Sequence, residues 1–175
     1  DIPADFIDAG VWKSNLRQLA AQRADDRGIE LRDIRAREAG MNDAIPDPDR
    51  VELTETTYDA GGGTEFFLSF EDPVEDLLVG FCRLRFPNDP VREELDDAAI
   101  VRELHVYGSE AGIGSGEGEW QHKGYGRRLI RRAEELAADA GYRTLAIISG
   151  IGAREYYRRK LGYRQDGPYV TKRLR

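Results

Sequence analysis

The chain has 175 residues, of which 40% are hydrophobic and 34% charged, and its formal net charge is −7. This length accommodates one well-buried domain with an additional helical layer, but not two complete enzymes. No apolar run approaches the roughly 20 residues that cross a bilayer, so we expect a globular protein without membrane association.

Cysteine usage restricts the sites that the chain can build. Its single cysteine, Cys82, cannot form an internal disulfide, hold an iron–sulfur cluster or complete a cysteine-rich zinc site. We therefore expect no metal site and a cytoplasmic location. The negative net charge argues against general nucleic-acid binding, although local arginine clusters can override it. Arginine predominates among the cations, since only four of the 26 lysine and arginine residues are lysines.

The first fifty residues predict a helix followed by irregular chain. Apolar positions within residues 9–27 approximate helical spacing, and Gly28 is a suitable stop. Charges alternate at short range in residues 31–38, and two prolines stand between acidic residues in 44–50, which indicates a loop. The chain does not begin with methionine and starts without a secretory pattern, so we expect a piece of a longer polypeptide.

Strand-like patterns begin at Val51. The predicted strands are 51–58, 64–70, 77–86 and 99–107. Turn residues separate the first three strands, which predicts antiparallel pairing. A glycine-rich stretch, 108–119, follows the fourth strand and is long enough to form a lid over a site.

Helices and strands alternate in the C-terminal part. An apolar stripe from Leu129 to Ala140 predicts an amphipathic helix that ends at Gly141. A buried strand at 144–149, a short helix at 153–161 and a last strand at 169–174 follow. The order of elements predicts an α+β fold, with a sheet layered by helices.

A glycine-rich loop with the sequence Gln-His-Lys-Gly-Tyr-Gly, residues 121–126, opens the amphipathic helix. Gly124 and Gly126 lack the Cβ atoms that would keep a pyrophosphate away from the backbone, and the unpaired N–H groups of a helix start attract anions. The cations that can contact phosphate oxygens are Lys123, Arg127 and Arg128. A simple helix-start turn with solvated arginines explains the same residues equally well.

The pattern Gln-x-x-Gly-x-Gly between a strand and a helix resembles the acetyl-CoA signature of the GNAT acetyltransferase superfamily. Further segments narrow the resemblance to the acetyltransferase half of the Elongator catalytic subunit family, the tRNA carboxymethyluridine synthases. These segments occur in the same order over most of the chain, at residues 10–17, 32–38, 102–108, 120–126, 148–158, 161–163 and 166–169.

The resemblance implies a GNAT-type sheet, mixed and mostly antiparallel, splayed in the middle and flanked by helices. Residues 1–50 would be a helical linker to an upstream radical S-adenosylmethionine domain, and 51–175 the acetyl-CoA-binding domain. The pantetheine arm would lie in the split and pair, like an added strand, with Glu103, Leu104, His105 and Val106. The pyrophosphate would rest beside Lys123 and Gly124, on the amides of Tyr125, Gly126, Arg127 and Arg128.

Two adjacent tyrosines are the catalytic candidates that the resemblance implies. GNAT enzymes commonly protonate the departing CoA thiolate with a tyrosine after the fifth strand, where Tyr156 and Tyr157 stand. Because Tyr157 shares a helical stripe with Ala153 and Leu161, we expect Tyr157 to bind the thioester and Tyr156 to flank it. Both can instead be core aromatics. One extra residue before Gly162, relative to the family pattern, leaves open which tyrosine reaches the thiol.

Other residues near the predicted site have simpler explanations. Glu103 and His105 lie on one face of the predicted strand and can contact substrate, but a satisfied, partly buried histidine explains His105 better than a base does. We therefore assign both to binding. Cys82 is expected to be an inert buried thiol.

The resemblance also implies a reaction. Acetyl-CoA would supply the two-carbon unit for 5-carboxymethylation of the tRNA wobble uridine, through tRNA-stimulated hydrolysis. The radical step, with S-adenosylmethionine and a [4Fe–4S] cluster, would belong to the upstream domain that this chain lacks, and the zinc of some family members has no cysteine ligands here. The alternatives are a stand-alone protein or small-molecule N-acetyltransferase and a non-catalytic module that docks tRNA or partners.

The implied partners are tRNA, through its anticodon region, the upstream domain, and a second copy or partner subunits. The arginine-rich elements at 13–17 and 32–37 can contact tRNA phosphates. A salt-bridged surface explains these elements equally well, because acidic residues are interspersed.

Overall fold

The computed structural model describes residues 15–40, 44–90, 92–107 and 124–175, and the chain divides into two units between Ala36 and Arg37. The first unit contains helix α1, Leu16–Asp25, and Gly28 follows it with a left-handed φ of 65°. The predicted start of this helix, before residue 15, lies outside the described residues. The second unit includes residues 37–50, which we predicted as part of the linker.

An ion pair within the first unit joins α1 to the arginine-rich element. Arg17 donates a hydrogen bond of 2.5 Å to the Asp33 carboxylate. This bond, with those from the amides of Arg35 and Ala36, lowers the pKa of Asp33. Arg17 and Asp33 thus form one ion pair of the kind that the salt-bridged alternative requires, and the tRNA contact of these elements stays a prediction.

Seven strands form one sheet among the described residues of the second unit. They are β1 Glu52–Ala60, β2 Gly63–Asp72, β3 Leu77–Phe86, β4 Ala98–Val106, β5 Thr144–Ile148, β6 Arg164–Asp166 and β7 Tyr169–Arg173. Their order is β1-β2-β3-β4-β5-β7-β6, with β4 and β5 parallel and all other neighbours antiparallel. The predicted mixed, mostly antiparallel sheet is confirmed, and β6 is a strand that the sequence did not predict.

Helices α2, Tyr125–Asp139, and α3, Arg154–Leu161, pack with one face of the sheet. Four members of the predicted stripe of α2 are buried, and the helix packs on β2, β3 and β4. They are Leu129, Ile130, Ala133 and Ala137, whereas Ala140 at the end of the stripe is exposed. The helix ends before Gly141, whose φ is 89°. Gly162 ends α3 with a φ of 76°. We call this side of the sheet the helix face.

The ladder between β4 and β5 is short. It begins at Ala98 and Thr144 and ends at Val101 and Ile147. On their other edges β5 pairs with β7 along its whole length, and β4 pairs with β3 from Ile100 to Val106. Backbone groups of residues 103–106 that point toward β5 therefore have no strand partner among the described residues. This is the split that the family resemblance predicted.

A β-bulge lies where the two strands part. Arg83 pairs with Glu103 and Leu84 with Val101, so Arg102 is the extra residue in β4. The extra residue resets the alternation of side chains along the strand. Val101 and Leu104 both pack with the core on the helix face, whereas Glu103 points to the opposite face.

A buried carboxylate holds the bulge in place. Glu65 of β2 is 1% exposed, and its Oε1 accepts hydrogen bonds from Arg102 Nη1 at 2.6 Å and Arg85 Nη1 at 2.9 Å. Arg85 also donates to the carbonyls of Ala60 and Gly61 at 2.8 Å. Both guanidinium groups bind the same carboxylate oxygen, whereas Glu65 Oε2 is buried without a hydrogen-bond partner among the described residues. The cluster ties the bulge to the β1–β2 turn.

Replacing Glu65 with leucine removes this acceptor and leaves Arg85 partly buried without a counter-charge. We expect the free energy of unfolding to fall by about 3 kcal/mol, as when one partner of a buried pair is removed. Urea denaturation measures the change. Glu65→Gln keeps one acceptor oxygen and should lose less, and a leucine variant as stable as the parent chain would show that the cluster contributes little.

Candidate functional site

Helix α2 begins at the predicted glycine loop. Gly124 precedes it with a left-handed φ of 73°, a conformation that glycine adopts readily. A Cβ added to Gly124 would meet no described atom within 4 Å, so the backbone can be approached closely from this side. Lys123 and the rest of the loop at 121–123, as well as the predicted lid at 108–119, lie outside the described residues.

The first turn of α2 provides three amides for an anion. The Arg128 N–H donates to the Gly124 carbonyl at 3.0 Å and closes the first helical turn. The N–H groups of Tyr125, Gly126 and Arg127 precede it and have no acceptor within the helix. Together with the helix dipole they form a site suited to a phosphate group. Of the four predicted amides, that of Arg128 is therefore used by the helix itself.

The Arg128 side chain packs on aromatic rings. Its Cζ lies 4.3 Å from the centroid of the Phe70 ring and 5.5 Å from that of Tyr125. The two rings are 4.8 Å apart, and burial raises the pKa of Tyr125. The stacking orders a guanidinium at the start of the helix while keeping its charge available to an anion. The sequence did not identify Phe70 as a residue of the site, because its contact with Arg128 depends on β2 lying under α2.

Gly126 brings the start of α2 against the end of β4. A Cβ at this position would lie 3.4 Å from Val106 Cγ2 and 4.0 Å from Leu104 Cδ2. The free amides of the helix consequently lie beside the unpaired edge of β4. A ligand with a pyrophosphate at one end and an amide-bearing arm fits this arrangement, because the helix receives the phosphates and the strand edge pairs with the arm.

The two tyrosines of α3 occupy different environments. Tyr157 is 6% exposed and belongs to the same core cluster as Val101 and Ile147, the last pair of the β4–β5 ladder. Burial, with Cys82 and Tyr156 nearby, raises the pKa of Tyr157 to about 12. Tyr157 therefore keeps its hydroxyl proton at neutral pH. Tyr156 is 43% exposed, with its ring 5.5 Å from that of Tyr157.

A second polar network braces the end of α3. The Tyr163 ring lies 6.0 Å from Tyr157, and its hydroxyl donates to Glu134 Oε1 at 2.7 Å. Lys172 Nζ donates to the same carboxylate at 2.9 Å and 3.0 Å. Burial and the Glu134 charge raise the pKa of Tyr163. The network links α2 and β7 to Tyr163, the second residue after α3. The sequence did not predict it, because its members are far apart along the chain.

Glu103 and His105 direct their side chains away from the helix face. One oxygen of Glu103 lies 3.5 Å from His105 Nε2, and the other lies 3.5 Å from Arg83 Nε. Both side chains are partly exposed. The backbone of these two residues follows the unpaired edge of β4, so the same residues line the split and one face of the sheet.

The model of the acetyltransferase (GNAT) family matches residues 29–163. The chain belongs to this family. It is 46% identical to the tRNA uridine(34) acetyltransferase of Methanocaldococcus infernus, over 99% of this chain and 34% of that protein. It is 45% identical to Elongator complex protein 3 of Schizosaccharomyces pombe, over 99% of this chain and 33% of that protein.

A solved structure agrees with these comparisons. The archaeal Elp3 of Methanocaldococcus infernus, with an N-terminal deletion, matches with a TM-score of 0.83 and 45% identity, over 99% of this chain and 42% of that one. The resemblance to the Elongator catalytic subunit family is thus confirmed. The GNAT chain spans about a third of the length of the curated relatives it matches.

The single cysteine of this GNAT chain does not fit an iron–sulfur cluster or a cysteine-rich zinc site. Cys82 is the single cysteine and is buried, and burial raises its pKa to about 12, whereas a metal ligand must be a thiolate. Over the described ranges, no group of three or more His, Cys, Asp and Glu side chains could hold a metal ion. Among the helices of those ranges, none is long and apolar enough to cross a membrane.

Alanine at Gly80 should displace the end of β4. The added Cβ would lie 2.8 Å from the His105 carbonyl oxygen and 3.1 Å from Val106 Cα, both backbone atoms that cannot rotate away. We expect a loss of about 1–3 kcal/mol in the free energy of unfolding, as for other overpacked sites. Thermal or urea denaturation tests this. Gly150→Ala is the matched control, with a φ of −59° and no described atom within 4 Å of the added Cβ, and an equal loss in both variants would contradict the prediction.

The raised pKa of Tyr157 predicts a loss of stability in alkaline solution. The hydroxyl ionises at about pH 12 in the folded chain and near pH 10 in the unfolded one. The unfolded chain therefore releases this proton first, so the contribution is intact below pH 10 and is lost as the pH rises toward 12. Phenylalanine cannot ionise, and Tyr157→Phe should lose less stability over this range. Parallel pH profiles in urea denaturation would be inconsistent with this assignment.

Proposed function

We propose that this chain binds acetyl-CoA in the split between β4 and β5. It serves as the acyltransferase part of a tRNA wobble-uridine 5-carboxymethylation enzyme and supplies the acetyl unit by tRNA-stimulated hydrolysis. The observation that carries the proposal is the end of the β4–β5 ladder at Val101 and Ile147, beside the free amides of α2. The names of two archaeal relatives, both tRNA uridine(34) acetyltransferases, support the choice of acceptor.

The split and the start of α2 hold different parts of the ligand. The backbone of residues 103–106 pairs with the amide groups of the pantetheine arm, as an edge strand pairs with an added one. The amides of Tyr125, Gly126 and Arg127 receive the pyrophosphate. Lys123 and the guanidinium of Arg128 add positive charge at the same end.

Acetyl-CoA supplies a thioester whose cleavage releases a thiolate. Tyr157 keeps its proton, because its pKa is about 12, and donates a hydrogen bond to the sulfur as negative charge develops there. The ring belongs to the core cluster and is 6% exposed, which limits the access of water to this side chain. Tyr156, at the surface, flanks the thioester.

The remaining steps belong to parts of the enzyme outside this chain. We place the radical chemistry, with S-adenosylmethionine and a [4Fe–4S] cluster, in an upstream domain joined through residues 1–50, because Cys82 is the only cysteine here. The tRNA binds through its anticodon region, and partner subunits or a second copy complete the assembly. The cytoplasm is the proposed location.

The test measures acetyl-CoA hydrolysis with tRNA, without tRNA, and with a lysine peptide. We expect tRNA to stimulate hydrolysis and the peptide to remain unmodified. Tyr157→Phe should lower turnover by about 100-fold, the usual size of a general-acid contribution, and Tyr156→Phe by a few-fold. Tyr58→Phe, on the exposed surface of β1, is the matched control and should leave turnover unchanged.

Other outcomes identify the alternative functions. Acetylation of the peptide without any effect of tRNA would indicate a protein N-acetyltransferase. Failure to bind acetyl-CoA, measured by calorimetry, would indicate a non-catalytic docking module. A larger loss in Tyr156→Phe than in Tyr157→Phe would exchange the roles of the two tyrosines.

A further inference from the structure

A row of flat rings crosses the sheet on the face opposite α2. The ring centroids of Phe67 in β2 and Phe81 in β3 are 5.1 Å apart with an interplanar angle of 26°, and those of Phe81 and His105 in β4 are 5.6 Å apart at 20°. Tyr107 borders this row, 6.2 Å from both Phe81 and His105, and also packs against the core cluster of the helix face. We call these four residues the ring platform.

The members of the ring platform differ in exposure. Phe67 and Tyr107 are partly buried and Phe81 is buried, whereas the His105 side chain is 57% exposed. The imidazole is thus supported from beneath by a fixed phenyl ring. The row therefore presents a supported, solvent-accessible aromatic surface at His105.

Charged groups of both signs surround the exposed end of the platform. Glu103 lies between His105 and Arg83, with an oxygen 3.5 Å from a nitrogen of each. Arg102, at the bulge, is about half exposed and is anchored through Glu65. An unpaired nucleobase offers a π-face, imide or amino N–H groups and an attached phosphate, which match a ring, a carboxylate and guanidinium groups respectively.

We propose that the ring platform stacks an unpaired base of single-stranded RNA, with His105 as the contacting ring. Glu103 accepts a hydrogen bond from the base, and Arg83 and Arg102 contact the neighbouring phosphates. The proposal rests on the proposed function, which makes RNA the acceptor. Because the His105 backbone lines the split while its side chain supports the base, one residue of β4 places the acceptor base next to the acetyl donor.

The experiment measures binding of fluorescein-labelled RNA to the whole chain in the absence of acetyl-CoA. The probes are a single-stranded uridine decamer and a duplex of equal length. The single strand should bind more tightly than the duplex. His105→Ala should weaken single-strand binding by about tenfold, since one base–aromatic stack contributes about 1–3 kcal/mol, and His105→Phe should restore affinity to within about twofold.

Arginine variants test the electrostatic part. Arg83→Gln should weaken single-strand binding and reduce the dependence of log affinity on log salt by about one ion. Arg159→Gln is the matched control, because this arginine is 79% exposed and pairs with Glu155 on α3, and it should leave both quantities unchanged. Thermal unfolding of each variant verifies that it is folded.

Several results would overturn the ring platform as an RNA site. These are absence of RNA binding, equal binding of duplex and single strand, an unchanged affinity in His105→Ala, and a His105→Phe variant as weak as the alanine one. Acetyl-CoA binding, measured separately by calorimetry, keeps the two proposals distinguishable. If the parent chain hydrolyses acetyl-CoA but does not bind the single strand preferentially, only the platform is overturned, whereas RNA stacking without acetyl-CoA binding overturns only the acyltransferase proposal.

Discussion

The ladder between β4 and β5 stops at Val101 and Ile147, and the geometry of the site depends on where it stops. Beyond this pair, peptide groups of β4 lie within the sheet without a strand partner among the described residues, an arrangement that costs free energy unless another group satisfies them. The bulge at Arg102 accompanies the separation, and the buried Glu65 carboxylate fixes the bulge from β2. The opening therefore depends on a short, irregular stretch of β4 around Arg102. Ion pairs with residues distant in sequence hold this stretch in place.

The bulge also determines which side chains of β4 lie on each face of the sheet. Leu104 follows Val101 onto the helix face, where the close approach of Gly126 sets the start of α2 beside the strand edge. Glu103 and His105 point to the other face and join the rings and charges there. If the same sequence alternated regularly onward from Val101, Leu104 would point away from the core, and Glu103 and His105 would point into it. The bulge thus keeps Leu104 on the helix face and the two polar side chains on the opposite face.

Local patterns were sufficient to predict much of the fold but not the contacts that shape the site. The stripe of α2 and the glycine loop before it are visible in consecutive residues, and the strand runs differ from the observed bounds by one or two positions. The Glu65–Arg102 pair and the Tyr163–Glu134 bond join residues 37 and 29 positions apart, which no local period indicates. The sequence could not show that the Arg128 amide is unavailable to an anion, because this depends on the exact residue at which α2 begins. A helix that began one residue later would leave this amide free.

The two explanations of Tyr157 that the sequence left open are physically compatible. Burial makes the ring part of the core, and the same burial raises the pKa of the hydroxyl to about 12 and so preserves its proton. A surface tyrosine such as Tyr156 would exchange hydrogen bonds with water and would be less directed toward a sulfur. The Tyr157 ring packs against Tyr163 and belongs to the core cluster that includes the end of the ladder. A core position is for this reason consistent with the donor role that we propose for Tyr157.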